Sequence, residues 1–499
     1  MELRWHRYRY YPYERELAWR EIGALLFPEG MSEVTHGIRI EGRFNSDAVE
    51  RLVYFSEASD GSCARPTLQG RLERVNGNGP NRQSTRYSAH GLHEYKGKFN
   101  PQIARAILNI LHVHLGARIL DPFCGSGTSL VECSHLGMKA VGLDINPFAV
   151  FVANAKLSAL QLGAVRLQEE VSAAIRRYKS ARPTHTSRKQ ASDKRIAYLK
   201  NWFEPAILDE IERLRGAIGS GDHECAPALL SIASNLLRDY SLQDPNDLRT
   251  RRRKTPIPTT PFIDTFDKAA NLFVSRINEA QIALVRKPVM GKAMLSDSRA
   301  IKLRRGGIGT PKFDCALTSP PYATALPYVD TQRLSLVWLE LLPASEILRL
   351  EAGLVGSREV RGGSKRELLL ELAENRSALP EEQAKYCRML QSALSDKDGF
   401  RRRAVPLLLY RYFSDMAKAF RSVRGCMKDG APFALIVGSN HTTLGGRRFD
   451  IDTPRHLAEI AGSYGWSHEE TLPLQTYQRY GYHMSNAVNS ERLVILRAS

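Results

Sequence analysis

DPFCGSGT (121–128) is the stretch that decides the fold of this chain. It directly follows the short apolar run ARILD (117–121) and precedes an amphipathic segment, Ser129–Leu136. Because glycine has no Cβ, Gly125 and Gly127 allow a tight turn and a close approach of the backbone to a ligand. The unpaired amides at the start of the following helix can bind a polar group of that ligand. The stretch therefore predicts a strand, a ligand-binding turn and a helix in succession.

The sequence on both sides of this turn alternates between strands and helices. A second strand, AVGLD (140–144), leads to a helix that begins after Pro147. Later strand-like runs are KAMLSD (292–297), FDCAL (313–317), APFALIVGS (431–439) and ERLVILRA (491–498). Such alternation is typical of a mostly parallel sheet covered by helices. Asp144 ends the second strand about twenty residues after the turn, where a carboxylate can accept both hydroxyls of a ribose.

The chain is predicted to have five parts. A small α+β unit occupies 1–60, with strands at Trp5–Tyr13 and Gly37–Ile40 and helices at 14–27 and Asp47–Glu57. Residues 61–89 are rich in Gly, Asn, Ser and Arg, which is typical of a linker. The sheet then occupies 90–156 and 291–499. A basic helical insertion at 157–290 separates its two halves, and a second helical stretch lies at about 335–428.

Composition bounds the class of protein and its partners. The 499 residues carry a net charge of +18, an excess that attracts polyanions such as nucleic acid. Seven scattered cysteines without a CxxC pair predict a reduced protein with neither a zinc site nor a disulfide framework. We find no apolar run of membrane-helix length and no secretory signal at the N-terminus. We therefore expect a cytoplasmic protein with no membrane partner.

A second motif, TSPPY (318–322), ends the strand FDCAL. Its two prolines remove two backbone donors and force an extended turn whose carbonyls remain free as acceptors. Ser319 Oγ and the Pro320 carbonyl could accept the two hydrogens of an amino group on an aromatic base, which would direct the nitrogen lone pair outwards. Tyr322 would stack on a base taken out of its helix. Orientation and electrostatics would then carry the reaction, without a covalent intermediate.

Together, these motifs resemble those of S-adenosylmethionine-dependent DNA amino-methyltransferases. DPFCGSGT resembles cofactor motif I of that family, GLDINP (142–147) motif II, and TSPPY the catalytic motif IV. HEYKGKFNPQIARAI (93–107) is similar to motif X, and LSDSR (295–299) to motif III. The resemblance covers about 90–150 and 290–499. It implies an α/β fold with a doubly wound class I methyltransferase sheet of seven strands, the last antiparallel, and 477–498 fits the final hairpin.

The resemblance also implies which residues form the site. The catalytic residues would be Ser319, Pro320, Pro321 and Tyr322. The residues that bind S-adenosylmethionine would be Tyr95, Lys98, Phe99, Asp121, Phe123, Cys124, Gly125, Gly127, Thr128, Asp144, Ile145, Asp297 and Thr318. Asp297 would approach the adenine amino group of the cofactor. For phosphate contacts, the basic runs suggest Arg251, Arg252, Arg253, Lys254, Arg358, Arg401 and Arg402. We expect no metal site, because His90 and His93 have no further Cys or His nearby in the sequence.

In the resembled family, Ser at the first catalytic position usually accompanies cytosine-N4 methylation, and Asp or Asn adenine-N6 methylation. The expected activity is site-specific methylation of cytosine N4 in double-stranded DNA, with base flipping. It would serve restriction-modification or phage defence beside separate restriction or defence proteins. Three alternatives stay open: an adenine-N6 DNA methyltransferase, a tRNA guanosine-N2 methyltransferase, and an inactive nucleic-acid-binding module. The tRNA enzymes carry a similar small N-terminal domain but typically have Asp in place of Ser319. A cytosine-C5 mechanism is not expected, because no Pro-Cys dipeptide occurs.

Overall fold

The N-terminal unit is built on a five-stranded antiparallel sheet. The computed structural model describes residues 1–73, 83–181, 193–284, 286–301, 312–323, 329–359, 362–475 and 490–499. The elements of the unit are β1 (Glu2–Trp5), α1 (Pro12–Leu26), β2 (Gly30–Val34), β3 (Gly37–Glu41), β4 (Phe55–Ser59), β5 (Ala64–Pro66) and α2 (Leu68–Glu73). The sheet order is β2-β3-β1-β4-β5. Helix α1, predicted at 14–27, buries Leu17, Ile22 and Leu26 in the core.

Three predictions for this unit were wrong. The first strand is β1 rather than Trp5–Tyr13, because the aromatic residues after it turn inwards: the rings of Tyr8 and Tyr10 stack with centroids 4.7 Å apart. Instead of a helix at 47–57 the chain forms a 3-10 turn, Ser46–Arg51, followed by β4. The predicted linker 61–89 contains β5 and α2, and Thr67 caps α2 by accepting from the amide of Gly70 at 2.9 Å. Residues 74–82 of that linker lie outside the described residues.

The catalytic half of the chain begins as the sequence predicts. Its first elements are α3 (Pro101–Ile110), β6 (Arg118–Asp121), α4 (Thr128–His135), β7 (Lys139–Asp144) and α5 (Pro147–Leu162). The basic insertion is helical in its described residues: α6 (Ala164–Ser180), α7 (Lys194–Lys200), α8 (Pro205–Gly219), α9 (Ala226–Leu236) and α10 (Phe262–Ala283). No single described helix is both long and apolar enough to cross a membrane. Helices α5 and α6 meet that test together, but with a bend of 112° between them.

The remaining elements complete the sheet and its second helical layer. They are β8 (Lys292–Leu295), β9 (Cys315–Thr318), α11 (Arg333–Trp338), α12 (Ile347–Gly353), α13 (Gly362–Glu374), α14 (Glu381–Ser392), α15 (Phe400–Arg424), β10 (Pro432–Gly438), β11 (Asn440–Leu444), β12 (Arg447–Ile451), α16 (Thr453–Gly462), β13 (Trp466–Gln475) and β14 (Ser490–Ala498). The helical stretch predicted at 335–428 corresponds to α11 through α15, and β11 and β12 form a separate hairpin.

Seven strands form the central sheet, in the order β13-β14-β10-β9-β6-β7-β8. Strands β10, β9, β6, β7 and β8 pair in parallel, and β14 is antiparallel to both of its neighbours. This is the class I methyltransferase fold, as predicted, with the last strand antiparallel. The final hairpin differs in one respect: its first strand is β13, upstream of the predicted 477–498. Residues 476–489 lie outside the described part of the chain.

Helices cover both faces of this sheet, because successive side chains of a strand point to opposite faces. On β10, Ala434 and Ile436 enter one core, while Phe433, Leu435 and Val437 enter the other. The first core also contains residues of α3 through α6 and of the N-terminal unit, and the second contains residues of α13 through α16. The sheet is therefore doubly wound, as predicted.

Polar contacts fix the N-terminal unit on the catalytic half. The buried carboxylate of Glu21 on α1 accepts from Asn109 Nδ2 at 2.6 Å and from the Val53 amide at 3.1 Å. Burial raises the pKa of Glu21 to about 7. Arg20 forms a two-pronged ion pair with Glu470 on β13, at 2.7 and 2.8 Å. The unit and the sheet are therefore held by specific contacts on two elements.

Candidate active site

The turn between β6 and α4 has the glycine geometry that the sequence predicts. Gly125 and Gly127 have φ values of +48° and +78°, in the left-handed region that favours glycine. A Cβ at Gly127 would lie 2.9 Å from Ala153 Cβ on α5, so close helix packing also requires this glycine. A Cβ at Gly125 would lie 3.4 Å from the ring of Tyr95, where it would narrow the cavity described next.

A cavity at the carboxyl ends of the parallel strands gathers most of the predicted site. Its lining includes eight of the predicted cofactor residues, namely Tyr95, Lys98, Phe99, Phe123, Gly125, Asp144, Ile145 and Asp297. It also includes all four predicted catalytic residues, Ser319, Pro320, Pro321 and Tyr322. Ligands of open α/β sheets bind at this edge. The structure therefore brings to one cavity the catalytic turn and seven cofactor residues, 95–145, that lie more than 150 residues before it in the sequence, together with Asp297.

Asp144 lies at the end of β7 with its carboxylate on the cavity. Oδ2 accepts from the amide of Gly125 at 3.0 Å and Oδ1 from the amide of Asn146 at 2.8 Å. Burial raises the pKa of Asp144 to about 6, although these amides oppose the shift. The two amides fix the orientation of the carboxylate, and each oxygen retains a lone pair for a ligand hydroxyl.

Five predicted cofactor residues do not line the cavity: Asp121, Cys124, Gly127, Thr128 and Thr318. Asp121 is 1% exposed and accepts from the Ser129 hydroxyl, from Thr318 Oγ1 at 2.6 Å and from the Phe123 amide at 3.1 Å. Their assignment as cofactor contacts stays a prediction. Through Asp121, the cofactor turn is tied to the strand that carries the catalytic turn.

The catalytic turn continues from Thr318 at the end of β9. Ser319 Oγ donates a hydrogen bond to the carbonyl of Ile436 on the neighbouring strand β10, at 3.1 Å. The hydroxyl hydrogen is thus directed into the sheet, which leaves the lone pairs of Oγ as acceptors. The Tyr322 hydroxyl donates to Glu491 Oε1 on β14. Both side chains of the turn are therefore anchored by strands on the same edge.

Asp297 follows β8 and carries a partner that the sequence did not predict. Arg299 donates to both of its carboxylate oxygens, with Nη2 at 2.7 Å from Oδ2, and also to the Gly353 carbonyl at 2.8 Å and Asp415 Oδ2 at 3.1 Å. Burial alone would raise the pKa of Asp297, but the Arg299 hydrogen bonds outweigh it and lower that pKa. Arg299 therefore joins Asp297 to α12 and α15.

Sequence reasoning missed several residues of the cavity wall. They are Lys96, Gly97, Ser296, Ser298, Arg299, Gly353, Leu354, Val355 and Glu491. The first five lie inside the stretches that resemble motif X (93–107) and motif III (295–299), and could have been found by taking every residue of those stretches as a candidate. The other four come from the end of α12 and from β14, where no local pattern indicates a ligand site.

The structure separates the predicted phosphate-binding arginines by what they contact. Arg253 donates to four backbone carbonyls, those of Asp239, Ser241, Thr255 and Pro256, at 2.6 to 3.0 Å. Arg252 donates to the Asn201 carbonyl at 3.1 Å, and Arg251 pairs with Asp247 at 3.2 Å. Lys254, Arg358, Arg401 and Arg402 are exposed, and none of the seven predicted residues is part of the described cavity wall. Arg253 therefore has a structural role in its loop.

A buried cluster beneath the site contains His90, Glu132 and His135, whose ligand atoms lie within 4.8 Å of one another. The Glu132 carboxylate already accepts from Arg105 Nε at 2.6 Å and from the Tyr87 hydroxyl at 2.8 Å. Burial raises the pKa of Glu132, but Arg105 and His135 outweigh it and hold that pKa well below its usual value. A guanidinium in contact with the carboxylate opposes a second cation, so we interpret the cluster as structural.

Comparisons with known proteins are consistent with this site. Residues 92–196 match the family described as RMKL-like, methyltransferase domain. The Type II methyltransferase M.MjaII of Methanocaldococcus jannaschii is 48% identical over 68 residues, 14% of this chain and 13% of that protein. The tRNA (guanine(10)-N2)-dimethyltransferase of Methanothermobacter thermautotrophicus is 46% identical over 52 residues, 10% and 16% of the two chains. The Type II methyltransferase M.AvaI of Nostoc sp. is 26% identical over 407 residues, 77% and 80% of the two chains.

The chain thus spans less than a fifth of the first two relatives and about four fifths of the third. The seven-stranded sheet and the family match support a methyltransferase. That class implies S-adenosylmethionine as the methyl donor.

Proposed function

We propose that this protein is a site-specific DNA methyltransferase, acting in the cytoplasm, that methylates the N4 amino group of cytosine in a restriction-modification or phage-defence system. The observation that carries the proposal is the hydrogen bond that the Ser319 hydroxyl donates. Its hydrogen is directed to the Ile436 carbonyl, so Oγ faces the cavity as an acceptor. An acceptor at this position suits an amino group that must lose its planarity before it can attack.

The cavity wall fits S-adenosylmethionine by the chemistry of its donors and acceptors. Asp144 offers oriented carboxylate oxygens for the two ribose hydroxyls, and the bare backbone at Gly125 leaves space beside them. Tyr95 and Phe99 would cover the methionine end, and Asp297 would lie near the adenine. When bound, the cofactor supplies an electrophilic methyl group on a sulfonium.

The residues of the chain would orient and activate the base. Ser319 Oγ and the Pro320 carbonyl would accept the two amino hydrogens, which turns the nitrogen lone pair towards the methyl donor. Tyr322, fixed through its hydroxyl, would present its ring to a base flipped out of the duplex. Preorganised acceptors of this kind lower the barrier without reorganising during the reaction.

The extent of the matches favours DNA over tRNA. The tRNA enzyme matches 10% of this chain, whereas the Type II methyltransferase M.AvaI matches 77%. The charge of the N-terminal unit also argues against RNA binding by that unit. Residues 1–73 contain ten arginines and no lysines against twelve acidic residues, so their net charge is about −2.

An exposed basic surface lies at the catalytic edge of the sheet and suits a phosphate backbone. The hairpin of β11 and β12 starts two residues after β10 and carries Arg447 and Arg448 near its tip. The amide of Gly445 in its turn donates to Asp398 at 2.8 Å, which ties the hairpin to the start of α15. Arg401 and Arg402 are exposed there. We propose that these four arginines contact phosphates beside the target base.

Transfer of label from methyl-labelled cofactor tests the proposal. Plasmid DNA should become labelled and bulk tRNA should not. Ser319→Ala should lower the rate at least 100-fold while cofactor binding is retained, and Ser180→Ala, at an exposed helix end, is the matched control. Label in tRNA alone would favour the guanosine-N2 alternative. Label in neither polymer would favour an inactive binding module.

A further inference from the structure

Glu491 is a carboxylate of the cavity wall that neither cofactor binding nor the catalytic turn explains. It is the second residue of β14, where it pairs in register with Gly438 of β10 and Leu474 of β13. Its side chain lines the cavity together with Ser319 and Tyr322. It therefore lies beside the catalytic turn.

The contacts of Glu491 differ from those of the other carboxylates of the wall. Asp297 is paired with Arg299, and Asp144 is held by two amides. Glu491 accepts from the Tyr322 hydroxyl through Oε1 and forms no ion pair with a described residue. A carboxylate without a cation is expensive to bury in its charged form. Burial accordingly raises the pKa of Glu491, although the Tyr322 hydroxyl opposes the shift.

The ring nitrogen beside the reactive amino group distinguishes cytosine and adenine from guanine. In cytosine that atom is N3 and in adenine it is N1, and both are hydrogen-bond acceptors. In guanine the amino-bearing carbon lies between N1 and N3, and the neighbour on the Watson–Crick edge is N1, which carries a hydrogen and is a donor. A protonated carboxyl group selects the acceptor, and an ionised carboxylate selects the donor. Because Glu491 Oε1 accepts a hydrogen bond from the Tyr322 hydroxyl, Oε2 is the atom available to contact the base.

We propose that Glu491 reads the ring edge of the target base, donating from Oε2 to N3 of cytosine while Ser319 holds the N4 amino group. The inference rests on the proposed function and names a specificity-determining residue for it. It requires the protonated form, so kcat/KM should decrease as pH rises through the pKa of Glu491. Other ionisable groups of the wall are Tyr95, Lys96, Lys98, Asp144, Asp297, Arg299 and Tyr322. Asp144 acts in the opposite direction, because its ionised form binds the cofactor.

The test compares Glu491→Gln with Glu491→Ala on a cytosine-containing duplex between pH 5.5 and 9. Glutamine keeps a hydrogen-bond donor at every pH, so Glu491→Gln should lose the decline of kcat/KM at high pH and retain more activity than Glu491→Ala. The alanine variant should lose about 10- to 100-fold in kcat/KM, as expected for a lost hydrogen bond to a buried partner. Glu469→Gln, on the adjacent strand and paired with Arg497, is the matched control.

Calorimetric binding of S-adenosylmethionine shows whether each variant is folded. The proposal is overturned if Glu491→Gln keeps the pH profile of the unmodified protein, or if Glu491→Ala matches that protein in kcat/KM. Digestion of the methylated DNA to nucleosides separates this failure from that of the proposed function. Methylcytosine with either of those variant results would refute only the role of Glu491. A methylated deoxyguanosine or deoxyadenosine in place of methylcytosine would refute the proposed function itself.

Discussion

Arg299 should control how tightly the cavity binds its cofactor. Its guanidinium contacts Asp297, Asp415 and the Gly353 carbonyl, and it thereby fastens the end of α12 to the cavity wall. The change that tests this is Arg299→Gln, which removes the charge and most of the donors. We expect the segment after Gly353 to separate from the wall and the cofactor to bind more weakly.

The contacts set the size of the effect. A hydrogen bond to a charged group contributes about 1.5–3 kcal/mol when buried. The Asp297 side chain is 38% exposed, so solvent screens its share, whereas Asp415 is 10% exposed. We take the combined loss as about 3 kcal/mol. We expect about half to nine tenths of this lost free energy to appear as weaker cofactor binding. Kd then rises about 10- to 100-fold, since each 1.4 kcal/mol is a factor of ten.

Isothermal titration with S-adenosylmethionine measures this change. Arg299→Lys should give an intermediate Kd, because an ammonium keeps the charge but not the planar fork of donors. The matched control is Arg20→Gln, which breaks another two-pronged ion pair, with Glu470; neither residue lines the cavity. Its Kd should stay within about twofold. A wild-type Kd for Arg299→Gln, or equal weakening by Arg20→Gln, would refute the reasoning.

Three further results are expected. Burial raises the pKa of Asp144 to about 6, and under the proposed function its ionised form would bind ribose, so Kd for the cofactor should rise about tenfold per pH unit below 6 in calorimetry. A pH-independent Kd would contradict this role. Replacing Arg401 and Arg402 by Gln should lower the slope of log K against log salt for duplex DNA by about two. Arg253→Gln should leave that slope unchanged but lower the melting temperature, because its guanidinium donates to four carbonyls. A changed slope for Arg253→Gln, with an unchanged slope for the Arg401 and Arg402 variant, would contradict these roles. Burial, aided by Glu73, raises the pKa of Glu14 to about 8, so the folded chain binds a proton that the unfolded chain releases, and stability falls as pH rises from 5 to 8. Glu14→Gln should raise the free energy of unfolding at pH 9 by about 2–4 kcal/mol in urea titrations, and an unchanged value would count against it.

The fold could be predicted because its signals are local. Each core strand is short and apolar, and the turn after β6 needs Gly125 and Gly127 whatever surrounds it. The first strand was misplaced because aromatic residues that turn inwards, such as Tyr8 and Tyr10, have the composition of a strand.

The site was predicted only where motifs mark it. Glu491 reaches the cavity from a strand that otherwise reads as core, and Leu354 reaches it from the end of α12. Both depend on tertiary packing, which a local pattern does not record. Asp121 likewise belongs to the stretch that resembles motif I, but its carboxylate accepts hydrogen bonds from Thr318 and Ser129 and does not line the cavity. A motif identifies residues that matter for a site, whereas contact with the ligand depends on which side of the wall each side chain takes.

The identity of the methylated nucleoside tests cytosine-N4 methylation by this protein without any intermediate inference. Double-stranded DNA is incubated with the protein and S-adenosylmethionine, digested to nucleosides and resolved by mass spectrometry, with Ser319→Ala as the control. We expect N4-methylcytosine as the product, and its loss in the Ser319 variant. N6-methyladenine, or N2-methylguanosine found only when tRNA is supplied, would contradict this expectation.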